Sequence, residues 1–222
     1  MKKVIGFGDY MLRLGPEGYL KFIQADRFVL NYTGAEGNVV TSLAYMGVPT
    51  ELVTKLPENA IAECAEANLR KYRVGCEHIA HGGERIGIFY AEKGASQRPS
   101  GIVYDRKHSA FSTSEPEDYD WNGILDGAGY FHFTGITPAL GGKLPEICLE
   151  ACETAKKLGV TVSCDLNYRK NLWSREDAKK TMEKLLGYVD ILIANEEDAA
   201  DVLGIRAADS DVISGKLSRE GY

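Results

Sequence analysis

The sequence predicts an α/β protein: a doubly wound parallel sheet with a small β-sheet set over it. Short apolar runs at residues 4–8, 50–54, 129–134, 160–164 and 189–193 alternate with segments whose apolar residues recur at helical spacing. One of those segments is periodic throughout, with Leu144, Ile147, Cys148, Ala151, Cys152, Ala155 and Leu158 on a single stripe. Two aromatic-rich insertions, at residues 18–33 and 85–112, interrupt the alternation, and each reads as a β-hairpin.

The first run ends at Gly8-Asp9, as a buried parallel strand would, and ligands of open α/β sheets gather at such carboxyl ends. Gly6-x-Gly8 begins a dinucleotide fingerprint, but Met11 stands at the third glycine position and Asp9 where a pyrophosphate would approach. No GxxxxGK[ST] segment occurs, so a Walker-type phosphate loop is absent. In the first insertion, residues 19–24 and 28–32 are the expected arms about a polar break at Ala25-Asp26-Arg27. In the second, residues 86–90 and 102–104 flank the loop 92–99. Two such hairpins can pair into a lid that excludes water from a site, with an aromatic outer face for a dimer.

Between the insertions, Tyr32-Thr33-Gly34-Ala35-Glu36-Gly37-Asn38-Val39-Val40 reads as a turn opening a helix. Gly34 suits a positive φ or a close backbone approach, and Val39, Val40, Leu43 and Ala44 supply a buried face. The helix start offers unpaired N–H groups and a positive dipole end to a polar ligand; Asn38 can donate and accept, as a sugar hydroxyl requires. A later helix is expected to bury Ile61, Cys64, Ala65 and Leu69, and Ser174 with Asp177 reads as a capping box ahead of Ala178, Met182, Leu185 and Leu186. Ile191-Leu192-Ile193 is apolar on both faces, as in an interior parallel strand with two neighbours. Residues 205–222 offer no further strand before the chain stops at Gly221-Tyr222, so the polypeptide is expected to be the front part of something longer.

A formal charge of −6 over 222 residues, with no block of like charges, argues against nucleic acid as the main partner. With 44% apolar and 26% charged residues the composition is that of a soluble globular protein, and no stretch reaches membrane-spanning length. The N-terminal apolar run is too short for a signal peptide. The five cysteines form no CxxC pair and read as reduced thiols, which makes the cytoplasm the expected location. Cys76-Glu77-His78-Ile79-Ala80-His81 has ligand-type side chains but lacks the second pair a metal site needs.

Chemistry concentrates elsewhere. Asp165-Leu166-Asn167-Tyr168-Arg169-Lys170-Asn171-Leu172-Trp173-Ser174 gathers polar and basic groups at the carboxyl end of the 160–164 strand, and Arg106 follows Tyr104 at the edge of the second insertion. Two guanidiniums converging from lid and core would clamp a carboxylate or phosphate; taken singly, each arginine reads more readily as a surface ion pair.

Several segments carry a joint resemblance: Thr33-Gly34-Ala35-Glu36-Gly37-Asn38, Glu92-Lys93-Gly94-Ala95-Ser96-Gln97-Arg98-Pro99-Ser100, Tyr104-Asp105-Arg106, Thr134-Gly135-Ile136-Thr137-Pro138-Ala139-Leu140, and Asp165-Leu166-Asn167-Tyr168-Arg169 with Leu172-Trp173-Ser174. In this order and spacing they resemble the ribokinase (PfkB) family of sugar kinases, specifically its 2-keto-3-deoxygluconate kinase-like branch, over essentially the whole chain. The resemblance implies a ribokinase-like three-layer αβα fold, with residues 1–222 the N-terminal portion of one domain and residues 13–33 and 85–112 a lid that often mediates homodimers. It implies ATP-dependent phosphorylation of a sugar or sugar acid, with Mg²⁺. By it, Gly34 and Asn38 would hold substrate hydroxyls, Tyr104, Arg106 and Arg169 the carboxylate end, and Ile136 would lie against the carbon chain. Asn167, with Arg169, would lie near the phosphoryl path. Asn195 and Asp198 fall on the family's N-x-x-E motif, which organises Mg²⁺-bound water; aspartate here shortens the reach.

Other departures are Thr33 for a usual glycine, Gly37 for a usual alanine, and Phe89 where a substrate-contacting tyrosine is often found. Strand alternation sends the neighbouring Tyr90 to the opposite face. The family's catalytic aspartate lies in a GAGD segment, which these 222 residues do not contain. The resemblance thus places that aspartate beyond Tyr222, and no catalytic residue is assigned within the chain. The expectation is a chain with the substrate pocket but without the catalytic base, inactive alone. The alternatives are a non-catalytic sugar-acid-binding module of the same ancestry and, disfavoured by the broken glycine fingerprint, a nucleotide-dependent oxidoreductase.

Overall fold

A computed structural model describes residues 1–206. Two expectations fall beyond them. The absence of a strand after residue 205 lies, from residue 207 onward, outside the described residues. So does Tyr222, the position past which the catalytic aspartate is expected.

The chain begins β1 (Lys3–Phe7), β2 (Met11–Pro16), β3 (Phe28–Thr33), α1 (Ala35–Tyr45), β4 (Thr50–Val53), β5 (Lys55–Leu56), α2 (Ala60–Lys71) and β6 (Ala80–His81). It continues β7 (Ile88–Glu92), β8 (Gly101–Asp105), α3 (Trp121–Leu125), β9 (Ala128–Thr134), α4 (Ile136–Ala139) and α5 (Leu144–Lys157). Then come β10 (Thr161–Asp165), α6 (Arg175–Leu186), β11 (Ile191–Ile193) and α7 (Glu196–Asp198), which runs into a π-helical turn, Ala199–Leu203.

The apolar runs become a five-stranded parallel sheet in the order β11-β10-β9-β1-β4. Alternation along each strand feeds two cores. Phe131, Phe133, Val162 and Cys164 pack with Leu144, Ile147, Cys148 and Met182 from α5 and α6. On the other face Leu52 packs with Val40, Ala65 and Leu69 of α1 and α2, giving the expected three layers. At Gly6 a Cβ would stand 2.7 Å from Val40 Cγ1, so α1 rests directly on the backbone of β1. Phe7 anchors the opposite face, its ring 5.0–5.4 Å from Trp121, Tyr119 and Phe111. All five cysteines are free, and Cys148, Cys152 and Cys164 are buried. No helix among the described residues is long and apolar enough to cross a membrane.

Several helix details differ from expectation. Leu158, expected on the buried stripe of α5, is 46% exposed at its C-cap, and in α1 Glu36 and Gly37 rather than Val39 and Leu43 are buried beside Val40 and Ala44. In α2 the buried residues are Ala62, Ala65, Glu66 and Leu69, while Ile61 and Cys64 are exposed. The Asn59 cap, accepting from the N–H groups of Ile61 and Ala62 at 3.1 Å, and the small alanines set the helix with its stripe turned by one residue. Ser174 does cap α6, accepting the Asp177 N–H at 3.1 Å. The reciprocal half of the box differs: the Ser174 hydroxyl donates to the Asp177 carboxylate at 2.7 Å.

The insertions form a second, four-stranded sheet in the order β3-β2-β7-β8. Its hairpins are β2/β3 and β7/β8, and the seam between them is a parallel pairing of β2 with β7. The expected arm at residues 19–24 is not a strand. Phe22–Gln24 is a 3₁₀ turn whose Phe22 N–H donates to Glu92 Oε2 at 2.8 Å, and β2 is the true partner of β3. Met11 and Leu12 win that place because they bury against the core, whereas Tyr19 and Ile23 remain exposed. β11 also differs from expectation. Among the described residues it pairs with β10 alone, leaving Ile191, Leu192 and Ile193 at 42–50% exposure.

Candidate functional site

Between the small sheet and the carboxyl ends of the parallel strands lies a cleft of about 710 Å³. Every site residue expected from the sequence lines it: Gly34 and Asn38 at the start of α1, Tyr104 and Arg106 from β8 and just beyond, Ile136, Asn167, Arg169, Asn195 and Asp198. Their convergence follows from topology, because each lies on a segment leaving a strand end or on the overlying sheet.

Gly34 is the N-cap of α1, with φ −165° and no capping side chain. It needs no positive φ; its requirement is close approach, since a Cβ would stand 2.1 Å from the Asp9 carbonyl oxygen. Thr33 Oγ1 donates to Asn38 Oδ1 at 2.7 Å, so Asn38 keeps its Nδ2 donors for a ligand. At Gly37 a Cβ would meet the Tyr10 ring at 2.7 Å, and Tyr10 in turn accepts from Asn68 Nδ2 at 2.7 Å. A packed tyrosine thus accounts for glycine at this position.

Arg106 is buried, its guanidinium carbon 4.8 Å from the Tyr104 ring centroid, a cation–π contact. Its Nη1 is 3.8 Å from Asp9 Oδ2 and 3.9 Å from Met11 Sδ, and its Nε has no hydrogen-bond partner. Burial pushes the Asp9 carboxyl up to about 6 against the opposing pull of Arg106. Phe89 lines the cleft 5.7 Å from Tyr104, while Tyr90 packs on Phe28 at 6.1 Å and is absent from the cleft wall, as alternation requires.

On the core side, Asn167 adopts φ +37°, a left-handed conformation that asparagine tolerates, and its N–H donates to Asp165 Oδ1 at 3.1 Å. Gly135 lets β9 and β10 close together here: its N–H donates to Asp165 O at 2.9 Å, and a Cβ would stand 2.2 Å from Leu166 O. Arg169 is exposed at the rim. Asn195 Oδ1 accepts the Asp198 N–H at 2.7 Å. Burial raises the Asp198 carboxyl, while the Tyr168 N–H and the Arg169 charge lower it. No group of three or more His, Cys, Asp or Glu side chains among the described residues is arranged to hold a metal ion.

Two buried acids at this corner are not identified by the sequence reasoning. Asp9 enters it only as an obstacle to pyrophosphate. Glu36 is 2% exposed, with Oε1 accepting the Thr134 N–H at 2.9 Å and the Thr137 hydroxyl at 3.1 Å. Burial pushes it up to about 7 despite those bonds. At Gly8 a Cβ would stand 2.1 Å from Glu36 Oε2, so Gly8 makes room for this carboxyl just as Gly6 makes room for Val40. A signal is present in the sequence: Glu36 shares the four-residue spacing of Val40 and Ala44. The histidines of the 76–81 run pair with carboxylates, His78 Nδ1 with buried Glu51 at 2.6 Å and His81 Nε2 with Glu66 at 3.5 Å.

A parallel α/β sandwich with a polar, cation-lined cleft between its strand ends and a small β-sheet defines a class of small-molecule-binding proteins. Residues 1–218 match the pfkB family carbohydrate kinase profile, and the chain belongs to that family. It is 32% identical over 216 residues to 2-dehydro-3-deoxygalactonokinase of Haloferax volcanii, covering 97% of this chain and 67% of that protein. It is 26% identical over 189 residues to 2-dehydro-3-deoxygluconokinase of Bacillus subtilis, covering 84% of this chain and 58% of that one. The crystal structure of 2-dehydro-3-deoxygluconokinase from Thermotoga maritima superposes with a TM-score of 0.95 at 52% identity, over 100% of this chain and 65% of that chain. The chain therefore spans about two thirds or less of the length of these relatives.

Proposed function

We propose that the cleft is the sugar-acid pocket of an ATP-dependent kinase acting on 2-keto-3-deoxygluconate (2-dehydro-3-deoxygluconate) or a close analogue. The observation that carries this reading is the position of Arg106, stacked on Tyr104 and lining the same cleft as Gly34, Asn38 and Arg169. The two guanidiniums and the Tyr104 hydroxyl hold the carboxylate end, the α1 start and Asn38 Nδ2 take hydroxyls, and Ile136 packs on the carbon chain. The relatives' names, 2-dehydro-3-deoxygalactonokinase and 2-dehydro-3-deoxygluconokinase, support an acid over a neutral sugar.

In this reading the small sheet is a lid that excludes water, and its exposed Phe28, Leu30 and Val103, which the strand register sets on the side away from the cleft, form the face where two copies of the chain meet. Asn167 lies beside the path of the transferred phosphoryl group, and Asn195 and Asp198 hold Mg²⁺-bound water. Mg²⁺, when present, neutralises charge on the phosphoryl oxygens. The 222 residues contain no GAGD segment, so we read the chain as binding the acid without turning it over.

Titration calorimetry tests this. 2-Keto-3-deoxygluconate should bind, fructose should bind far more weakly, and Arg106→Leu should weaken the acid by at least about 30-fold, the usual consequence of deleting one partner of a buried ion pair. With ATP and Mg²⁺ added, no sugar phosphate should form. Equal affinity for fructose would sink the carboxylate assignment, and turnover would sink the claim of inactivity.

A further inference from the structure

Behind the cleft wall, one cation faces in two directions. Asp9 follows the carboxyl end of β1 and is 4% exposed. Its Oδ2 has no hydrogen-bond partner, and the Arg106 Nη1 that neutralises it stands 3.8 Å away, beyond hydrogen-bond length. Arg106 itself lines the cleft, with Nε unpartnered. A guanidinium that lines a cleft, with a buried Nε–H unsatisfied and a loosely held anion at its back, is poised for a second anion.

We propose that Arg106 is shared between Asp9 and an anionic ligand, so that binding a carboxylate in the cleft drives a proton from solvent onto Asp9. The inference rests on the sugar-acid reading and deepens it. When the ligand carboxylate pairs with Arg106, two negative charges compete for one cation in a dry environment, where each charge interaction is stronger than in water. The less well-solvated anion gives way. Among the described residues Asp9 has no donor other than the distant guanidinium to keep it ionised, so it takes up H⁺ and becomes a neutral acid. The balance is simple: bound anion and Asp9 carboxyl replace free anion, Asp9 carboxylate and one solvent proton. The high starting position of the Asp9 carboxyl, about 6, places this exchange near neutral pH.

The other titratable groups at this corner do not offer the same response. Glu36, across Gly8, is held by the Thr134 N–H and the Thr137 hydroxyl and contacts no cation among the described residues. Tyr119, whose phenol feels the Asp9 charge, is buried, bonded to Ser114 Oγ at 2.8 Å, and pushed up by burial. Tyr104 presents its ring to the guanidinium.

The test is calorimetry of the full chain with 2-keto-3-deoxygluconate from about pH 5.5 to 8, each point run in two buffers of different protonation enthalpy. Expected is uptake of about half a proton per ligand near pH 6.5 and affinity nearly tenfold weaker at pH 8 than at pH 5.5, as one unit of differential pKa dictates. Asp9→Asn should abolish the uptake, flatten the pH profile and bind the acid more tightly than wild type at pH 8. Glu36→Gln should leave the uptake in place. If Asp9→Asn does not fold, the wild-type proton count decides alone. Binding that needs Arg106 but takes up no proton, or uptake that persists in Asp9→Asn, overturns this inference and leaves the sugar-acid reading standing. Absence of binding at every pH overturns both.

Discussion

Glu36 ties α1 to the ends of β9 and α4, and it does so as an acid whose ionised form is disfavoured. Burial is the dominant cause, raising it from an ordinary 4.5 to about 7, with the Thr134 and Thr137 bonds only partly offsetting. The folded state therefore keeps a proton that the unfolded chain releases. Its contribution to stability is fully present below pH 4.5 and is lost as pH rises through about 7. Asp9 adds the same sign at lower pH, between an ordinary 3.8 and about 6. Urea denaturation should show stability falling by roughly 2–3 kcal/mol between about pH 5 and 8 from Glu36. Glu36→Gln keeps an oxygen for the Thr134 N–H and should flatten that slope; an unchanged slope would place the titration elsewhere.

At the scale of elements, β11 is an exposed apolar edge among the described residues, with Ile191, Leu192 and Ile193 all partly open to solvent. Such an edge pairs with other chains. Leu192→Lys should lower concentration-dependent self-association, measured by light scattering, while leaving the thermal midpoint nearly unchanged. Strand and helix existence were legible here because short apolar runs alternate with longer stretches of 3.6-residue periodicity. Pairing was not. The aromatic residues 19–24 have the composition of a strand, while Met11–Pro16 ends in Gly15-Pro16 and looks like a turn. What decides between them is a partner from a remote segment, β7, and no local pattern encodes that.

For the molecule as a whole, the convergence of the candidate residues on one cleft was more legible than the fold details around it. Residues chosen from separate segments line one cleft, because strand carboxyl ends in a parallel sheet all point to the same side. The depth of the buried acids was not legible, because it depends on how closely α1 lies on Gly6 and Gly8, a tertiary fact. The overall charge of −6 likewise hides a cleft whose wall sets Arg106, Lys107, Arg169 and Lys170 beside the acids Glu197, Asp198 and Asp201. A net charge describes the surface average, and a ligand meets the local field.

The seam of the small sheet has a kinetic meaning. Three ladder pairs, Leu12↔Ile88, Arg13↔Phe89 and Leu14↔Tyr90, join its two ribbons, beside the Phe22 N–H to Glu92 Oε2 bond at 2.8 Å and the Arg98 Nη2 to Tyr19 O bond at 2.7 Å. If those rungs part, Thr33 travels with one ribbon and Tyr104 with the other, so the doorway to the cleft would be a tear along this line. Amide deuteration should then be faster at β2 and β7 than at β9 and β10, and a trapped sugar acid should slow it at the seam first. Uniform slowing across both sheets would mean the door swings elsewhere.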